Sequence, residues 1–231
     1  MAVTDLERER ERAARHSLQF VSDGMVVGLG TGGTAAHAIR MIGALVRDGR
    51  RLVGVPTSAR TAALARDHGI PLVTPDQVDT IDLTIDGADE VVPTCDAVKG
   101  AGGALVRERI VAAASRRVVF IVDSSKLVAR LGTGPVPFEV VPFGRSGVAR
   151  RLAALGFEPA LRLTPSGSVF QTENGNHILD ARWRPAGELP GDDTLRGIAG
   201  VVDHGVFRGV AQLVVVGRGE QVEVLERRSG R

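Results

Sequence analysis

Three observations predict an α/β fold with a largely parallel sheet. Short apolar runs without alternation recur through the first half of the chain, as in strands buried on both faces. Helical patterns separate these runs in a βαβα rhythm, which right-handed crossovers wind into one sheet. A glycine-rich turn follows the first run, where an open α/β sheet presents its loops to ligands.

Thr4 and Glu7 stand at capping-box spacing, and Leu6, Ala13, Leu18 and Val21 extend a helix to about Val21, where Ser22-Asp23-Gly24 ends it. Met25 to Leu29 reads as a buried strand and Thr34 to Arg47 as a helix. Strand Leu52 to Val55 and helix Ser58 to His68 repeat the unit. Ile81, Leu83 and Ile85 alternate with Asp82, Thr84 and Asp86, a period-two pattern that places a strand just before Asp86-Gly87-Ala88-Asp89. Helix Ala104 to Ser115 and strand Val118 to Val122 follow, the latter ending in Asp123-Ser124-Ser125-Lys126.

After Leu131 the texture changes. Gly132, Gly134, Pro135, Pro137 and Pro142 punctuate the chain, so a domain boundary is expected near Arg130. An α+β segment comes next, with helices over Ser146 to Leu155 and Asp192 to Ala199. Val169 to Thr172 and His177 to Ala181 flank Asn174-Gly175, a hairpin signal. Gln212 to Val216 and Gln221 to Leu225 read as a second hairpin.

Composition narrows the class. With 43% hydrophobic and 24% charged residues, the 231-residue chain can bury a sizeable core. Seven Phe, one Trp and no Tyr make that core aliphatic and leave few platforms for stacking single-stranded nucleic acid. The net charge of +2 is spread along the sequence and implies no nucleic-acid partner. The single cysteine, Cys95, excludes an internal disulfide and a multi-cysteine metal cluster, and fits a reducing compartment. No run approaches the roughly 18 to 20 apolar residues of a membrane span, so a soluble cytoplasmic protein is expected. Among 29 basic residues only Lys99 and Lys126 are lysine, and both follow candidate site loops. A chain that writes arginine for generic positive charge keeps lysine where a compact ammonium is wanted.

Three constellations can carry chemistry. Gly28-Leu29-Gly30-Thr31-Gly32-Gly33 fits GxGxxG between strand and helix, where backbone amides cradle an anion. A dinucleotide site expects an acid at the end of the second strand, and Val53-Gly54-Val55-Pro56-Thr57 has none, which favours a simple phosphate; a tight packing turn is the plainer alternative. Asp86 and Asp89 at a strand end suit an acid–base pair, a metal pair or a turn. Lys99-Gly100-Ala101-Gly102-Gly103 leads into the helix bearing Glu108, pairing an oxyanion-stabilising cation with a general base. Arg107-Glu108-Arg109 also fits a solvated helix face.

In this order the segments resemble ribose-5-phosphate isomerase of the A type. Gly28 to Ala35 is similar to the family's phosphate loop, Asp86 to Glu90 to its acidic turn and Lys99 to Arg109 to its lysine–glycine segment. Asp123-Ser124-Ser125-Lys126, Pro135 to Val140 and Thr172 to Asn176 continue the likeness, which covers Leu18 to Phe207. The chain departs from the family pattern at Gly33, where Ser is common, at Ala101 for glycine and at Glu173 for aspartate.

The resemblance implies a Rossmann-like domain, residues 1–130 and 208–231, with a smaller inserted α+β domain of ferredoxin-like kind, residues 131–207, and the last hairpin returning to the first sheet. It implies an aldose–ketose isomerase that interconverts D-ribose 5-phosphate and D-ribulose 5-phosphate through an enediolate, a step of the non-oxidative pentose phosphate pathway, without metal or cofactor. Glu108 would be the proton-shuttling base, Lys99 would steady charge on the substrate oxygens, and Asp86 and Asp89 would serve ring opening and hydroxyl contacts. Gly30, Thr31, Gly32, Gly33, Thr34, Gly87, Ala88, Gly100, Ala101, Gly102 and Lys126 would bind substrate. A homodimer or homotetramer is implied, with no nucleic-acid or membrane partner. A sugar-phosphate deaminase or lactonase of related fold is the alternative enzyme. A sugar-phosphate sensor would carry a DNA-binding extension, for which the residues ahead of Met25 leave little room.

Overall fold

The computed structural model describes residues 5–227. Helix α1, Asp5–Ser17, stops short of the sequence expectation because the chain tightens into a 3-10 turn over Leu18–Phe20. There the Ser17 hydroxyl donates back to Ala14 O at 2.7 Å, competing with the helical ladder. The expected cap at Thr4 lies outside the described residues.

The first crossovers follow the expected rhythm: β1 Val26–Leu29, α2 Gly33–Arg47, β2 Val53–Pro56, α3 Ala59–Asp67 and β3 Leu83–Asp86. Ser58 caps α3, its hydroxyl accepting from Thr61 N at 3.1 Å. Strand β3 is shorter than its alternation suggested and buried along its whole length; Ile81 makes only an isolated bridge, to Ser115. Its polar positions face protein, not water, because helices cover both faces of a parallel sheet. Two short strands, β4 Glu90–Val91 and β5 Ala97–Val98, then precede α4, Leu105–Ala113, and β6, Val118–Asp123.

The next segment runs β7 Pro135–Val140, α5 Arg145–Ala154, β8 Phe157–Leu161, β9 His177–Trp183, α6 Asp192–Arg196 and β10 Val201–His204. After β11, Val206–Phe207, the chain closes with the expected hairpin of β12 Leu213–Arg218 and β13 Gln221–Glu226.

Six strands form one sheet in the order β13-β12-β6-β3-β1-β2, parallel except for β13. The chain leaves β1 for β2 on one side and returns to β3 on the other. The C-terminal ends of β1 and β3 therefore flank a topological switch point, where open α/β sheets bind ligands. Helix α1 lies across β6 and β12 so closely that a Cβ on Gly217 would overlap the Glu9 backbone.

A second sheet, β10-β7-β9-β8, is antiparallel and has the β-α-β-β-α-β chain order of a ferredoxin-like unit. Two expectations fail in it. Residues 169–172 form no strand opposite His177: the Asn174-Gly175 turn exists, with Gly175 at φ +81°, but only single bridges flank it. β9 pairs instead with β7 and β8, and β8 was hidden by Pro159, which an edge strand tolerates. Helix α6 ends at Arg196, before Gly197, rather than at Ala199. A small third sheet, β11-β5-β4, joins the two larger ones and carries no sequence signal, its strands being two residues long.

Candidate active site

A cleft of about 250 Å³ opens at the switch point. Its walls come from the turn after β1, the turn after β3, the loop between β5 and α4, and the stretch after β6.

The first wall is the glycine turn. Gly32 adopts φ +133°, a backbone open to glycine, and hands the chain into α2. Gly32, Gly33 and Thr34 line the cleft, where the first amides of α2 have no acceptor within the helix. Gly30 and Thr31 serve differently. The Gly30 amide donates to Ile85 O at 3.0 Å and the Thr31 amide to Asp86 Oδ1 at 3.0 Å. The Thr31 hydroxyl joins those of Thr57, Ser58 and Thr61 at 2.8, 2.8 and 3.0 Å. Thr31 still borders the cleft, whereas Gly30 does not, and a Cβ on Gly30 would overlap the Asp86 carboxylate.

Beneath the second wall, Asp86 is buried. Its Oδ1 also accepts from Gly87 N at 2.7 Å, and its Oδ2 stands 3.0 Å from Lys99 Nζ. It touches the lysine from below and does not line the cleft, unlike Gly87, Ala88 and Asp89. Asp89 Oδ2 accepts from Ala101 N at 2.9 Å and so ties the acidic turn to the lysine loop.

Lys99, 2% exposed, is the centre of the arrangement. Its ammonium donates to Gly87 O at 2.5 Å, pairs with Asp86, and lies 3.4 Å from Glu108 Oε2. The Phe120 and Phe207 rings flank it at 5.3 and 5.7 Å. Burial pulls the ammonium down, but the charges of Asp86 and Glu108 outweigh it and hold its pKa above the ordinary value. Glu108, in the first turn of α4, is 3% exposed. Burial, only partly opposed by the Lys99 charge, pushes its pKa up to about 8. Burial likewise raises Asp86 against the pull of Lys99. Glu108 borders the cleft, and its buried Oε2 makes no hydrogen bond among the described residues. A carboxylate poised near neutral pH beside a buried cation can take a proton and leave the resulting negative charge stabilised.

At the far end stand Lys126 and Arg10. Arg10 is the residue that sequence reasoning missed, since the charge run from Glu7 to Arg15 by itself specifies no more than a solvated helix face. Its Nε donates to Asp123 Oδ2 at 2.8 Å, and a Cβ on Gly33 would lie 3.7 Å from its Nη1. Burial opposes the Asp123 charge, yet the hydrogen bonds from Ser125 and Arg10 keep that carboxyl below its ordinary range. No pattern within α1 could reveal this, because the partner lies more than a hundred residues away.

The solvated reading of Arg107-Glu108-Arg109 also gives way. Arg107 binds the Glu173 carboxylate and Asn174 Oδ1, and Arg109 binds the Asp203 carboxylate, His204 O and Val206 O. Arg107 braces α4 against the loop between β8 and β9, and Arg109 braces it against β10 and its continuation into β11. Among the described residues no group of three or more His, Cys, Asp or Glu stands together as a metal site, and no helix is long and apolar enough to cross a membrane.

Known proteins share this arrangement of elements. The family model for ribose 5-phosphate isomerase A (phosphoriboisomerase A) matches residues 53–221. Ribose-5-phosphate isomerase A of Thermomicrobium roseum is 52% identical over 224 residues, covering 96% of this chain and 94% of its own. A D-ribose-5-phosphate isomerase solved in complex with phospho-erythronic acid superposes with a TM-score of 0.93 at 38% identity, covering 97% of this chain and all of that one. The ribose 5 phosphate isomerase A of Neisseria gonorrhoeae gives a TM-score of 0.90 at 34% identity, over 99% of this chain and all of its own. With half of its residues shared along nearly its whole length and the same fold throughout, this chain belongs to the ribose 5-phosphate isomerase A family.

Proposed function

We propose that the protein is an aldose–ketose isomerase that interconverts D-ribose 5-phosphate and D-ribulose 5-phosphate, with the cleft at the switch point as its active site. The observation that carries this reading is the Lys99–Glu108 pair: a buried base with its pKa near 8, 3.4 Å from a buried ammonium, in one cleft with the N-terminal turn of α2.

The substrate phosphate sits at the amides of Gly32, Gly33 and Thr34, with Arg10 and Lys126 alongside. A phosphate bound at a helix N-terminus supplies binding energy remote from the reacting carbons and places C1 and C2 beside Glu108. In the open-chain aldose, Glu108 removes the proton from C2, the electrons move to the C1 oxygen, and a 1,2-enediolate forms. Lys99 stabilises that negative charge. The proton of the C2 hydroxyl passes to the C1 oxygen, and Glu108 returns its own proton to C1 as the C2 carbonyl forms, giving the ketose. Asp86 holds Lys99 from below, and Asp89 meets the substrate hydroxyls and assists ring opening. Gly87, Ala88, Gly100, Ala101 and Gly102 shape the sugar subsite, while Gly30 and Thr31 support the phosphate turn.

The same reading divides the chain into residues 1–130 with 208–231 and an inserted unit, 131–207. It also carries a cytoplasmic homodimer or homotetramer without nucleic-acid or membrane partners. In this scheme Lys99 supplies the charge stabilisation that a metal would otherwise provide. Incubation of chelator-treated protein with ribose 5-phosphate tests the proposal: ribulose 5-phosphate should form at the untreated rate, and a folded protein without turnover would refute it.

A further inference from the structure

We propose that Arg162 is a positioning residue for the isomerisation: from the four-stranded sheet it fixes and polarises the peptides of the Gly100–Gly102 turn, so that the Gly102 amide faces the charge developing on the substrate. The inference rests on the isomerase reading of the cleft.

Arg162 follows β8 directly. Its Nε and Nη2 donate to Asp180 Oδ2 and Oδ1 at 2.8 and 2.5 Å, a two-pronged pairing that fixes the plane of the guanidinium. Its Nη1 reaches across to the lysine loop and donates to both Gly100 O and Ala101 O at 3.0 Å. Two adjacent carbonyls thus point the same way, toward one cation. Gly103 is held as well, since the Phe170 ring occupies the space that a Cβ there would need.

In a trans peptide the N–H points opposite to the C=O. With Gly100 O on Arg162, the amide of the same peptide, Ala101 N, points the other way and donates to Asp89 Oδ2 at 2.9 Å. With Ala101 O on Arg162, the Gly102 N–H is turned from the arginine in the same manner. Gly102 lines the cleft on the side facing Thr31, and its N–H finds no acceptor among the described residues. A positive charge at the carbonyl end of a peptide strengthens its N–H as a donor. An amide aligned before the reaction stabilises an oxyanion without reorganising, so the Ala101–Gly102 peptide complements Lys99 from a second direction. Lysine cannot replace this arginine fully, because one guanidinium grips the carboxylate and both carbonyls at once.

The test compares Arg162→Met, Arg162→Lys and Asp180→Asn with Arg184→Ala, whose exposed pairing with Glu158 belongs to the same sheet and does not reach the cleft. For each, kcat and KM are measured with ribose 5-phosphate, together with inhibition by phospho-erythronic acid, inhibition by inorganic phosphate, and the melting temperature. Phospho-erythronic acid carries a carboxylate where the enediolate oxygens would lie; inorganic phosphate probes the other end of the cleft. Arg162→Met should lower kcat by about 10- to 100-fold with KM changed by less than about threefold. Affinity for phospho-erythronic acid should fall in step with kcat, and phosphate inhibition should stay as it was. Arg162→Lys and Asp180→Asn should fall between wild type and Arg162→Met, and they carry the test if the methionine variant does not fold. A folded variant with wild-type kcat, or equal losses for phosphate and phospho-erythronic acid, would overturn the proposal. Absence of turnover in the wild-type protein would instead overturn the isomerase reading, and this inference with it.

Discussion

Replacing Glu108 by Gln should abolish activity and, at alkaline pH, make the protein more stable. With a pKa of about 8, roughly one-tenth of Glu108 is ionised at pH 7. Wild-type kcat/KM should therefore climb about tenfold per pH unit up to near 8 and then level off. Lys99, held above its ordinary 10.5, keeps its charge through that range. Gln cannot take the C2 proton, so the rate should fall by about 10²- to 10⁴-fold, with phosphate inhibition retained. The stability effect follows from the same burial. Between the ordinary 4.5 and about 8 the folded state keeps a proton that the unfolded chain has shed, so wild-type stability falls as pH rises through that window. The full difference corresponds to a ceiling of about 5 kcal/mol above pH 8. That ceiling already includes the attraction of Lys99 for the carboxylate; relaxation and water penetration around the buried charge reduce it further and leave a gain of about 1 to 2 kcal/mol. Denaturant titrations at pH 5 and pH 9, paired with pH–rate profiles, measure both effects. A wild-type profile flat from pH 6 to 9, or a variant whose stability relative to wild type is the same at both pH values, would refute the reasoning.

Other substitutions probe separate parts of the cleft. Lys99→Arg should lower kcat by about 10²- to 10³-fold, because a planar guanidinium cannot occupy the buried space between the Phe120 and Phe207 rings and still meet Gly87 O; steady-state kinetics on folded protein decide it. Arg10→Ala should raise KM and weaken inhibition by inorganic phosphate about tenfold while kcat stays within about threefold, since the guanidinium faces the phosphate end alone. Gly30→Ala should destabilise the fold by about 2 to 4 kcal/mol in a denaturant titration, because its Cβ overlaps the Asp86 carboxylate that holds the Thr31 and Gly87 amides.

Much of this site was legible because its parts are local in sequence. A glycine turn after a buried strand, and an acidic turn after another, need only adjacent residues to be recognised, and the parallel sheet brings both strand ends to one crevice. The lysine loop and Glu108 were legible for the same reason, being neighbours around one helix start. Pairings across long separations were not. Arg10 reads as part of a solvated face until Asp123 is placed beside it, and Arg107 and Arg109 read likewise until the four-stranded sheet packs on α4. Asp86 lies where the acidic turn predicts, but which of its oxygens meet amides and which meets Lys99 depends on packing between strands. The hairpin expected at Asn174-Gly175 failed because a good turn specifies a reversal of the chain, while the partners of β9 are decided by the competing strands β7 and β8.

The anchoring of α1 links two distant stretches of chain to one end of the cleft. Glu9 accepts from Gly219 N in the β12–β13 turn at 2.7 Å and from Ser124 N at 2.9 Å, and Arg12 binds Gly219 O and Glu220. One turn of helix therefore spans from the closing hairpin to the arginine beside the phosphate turn. Damage to that hairpin, by a proteolytic nick at Gly219 or a tag crowding β13, would reach the substrate as a loosened grip on its phosphate, while the proton-transfer end, built on other strands, kept its geometry.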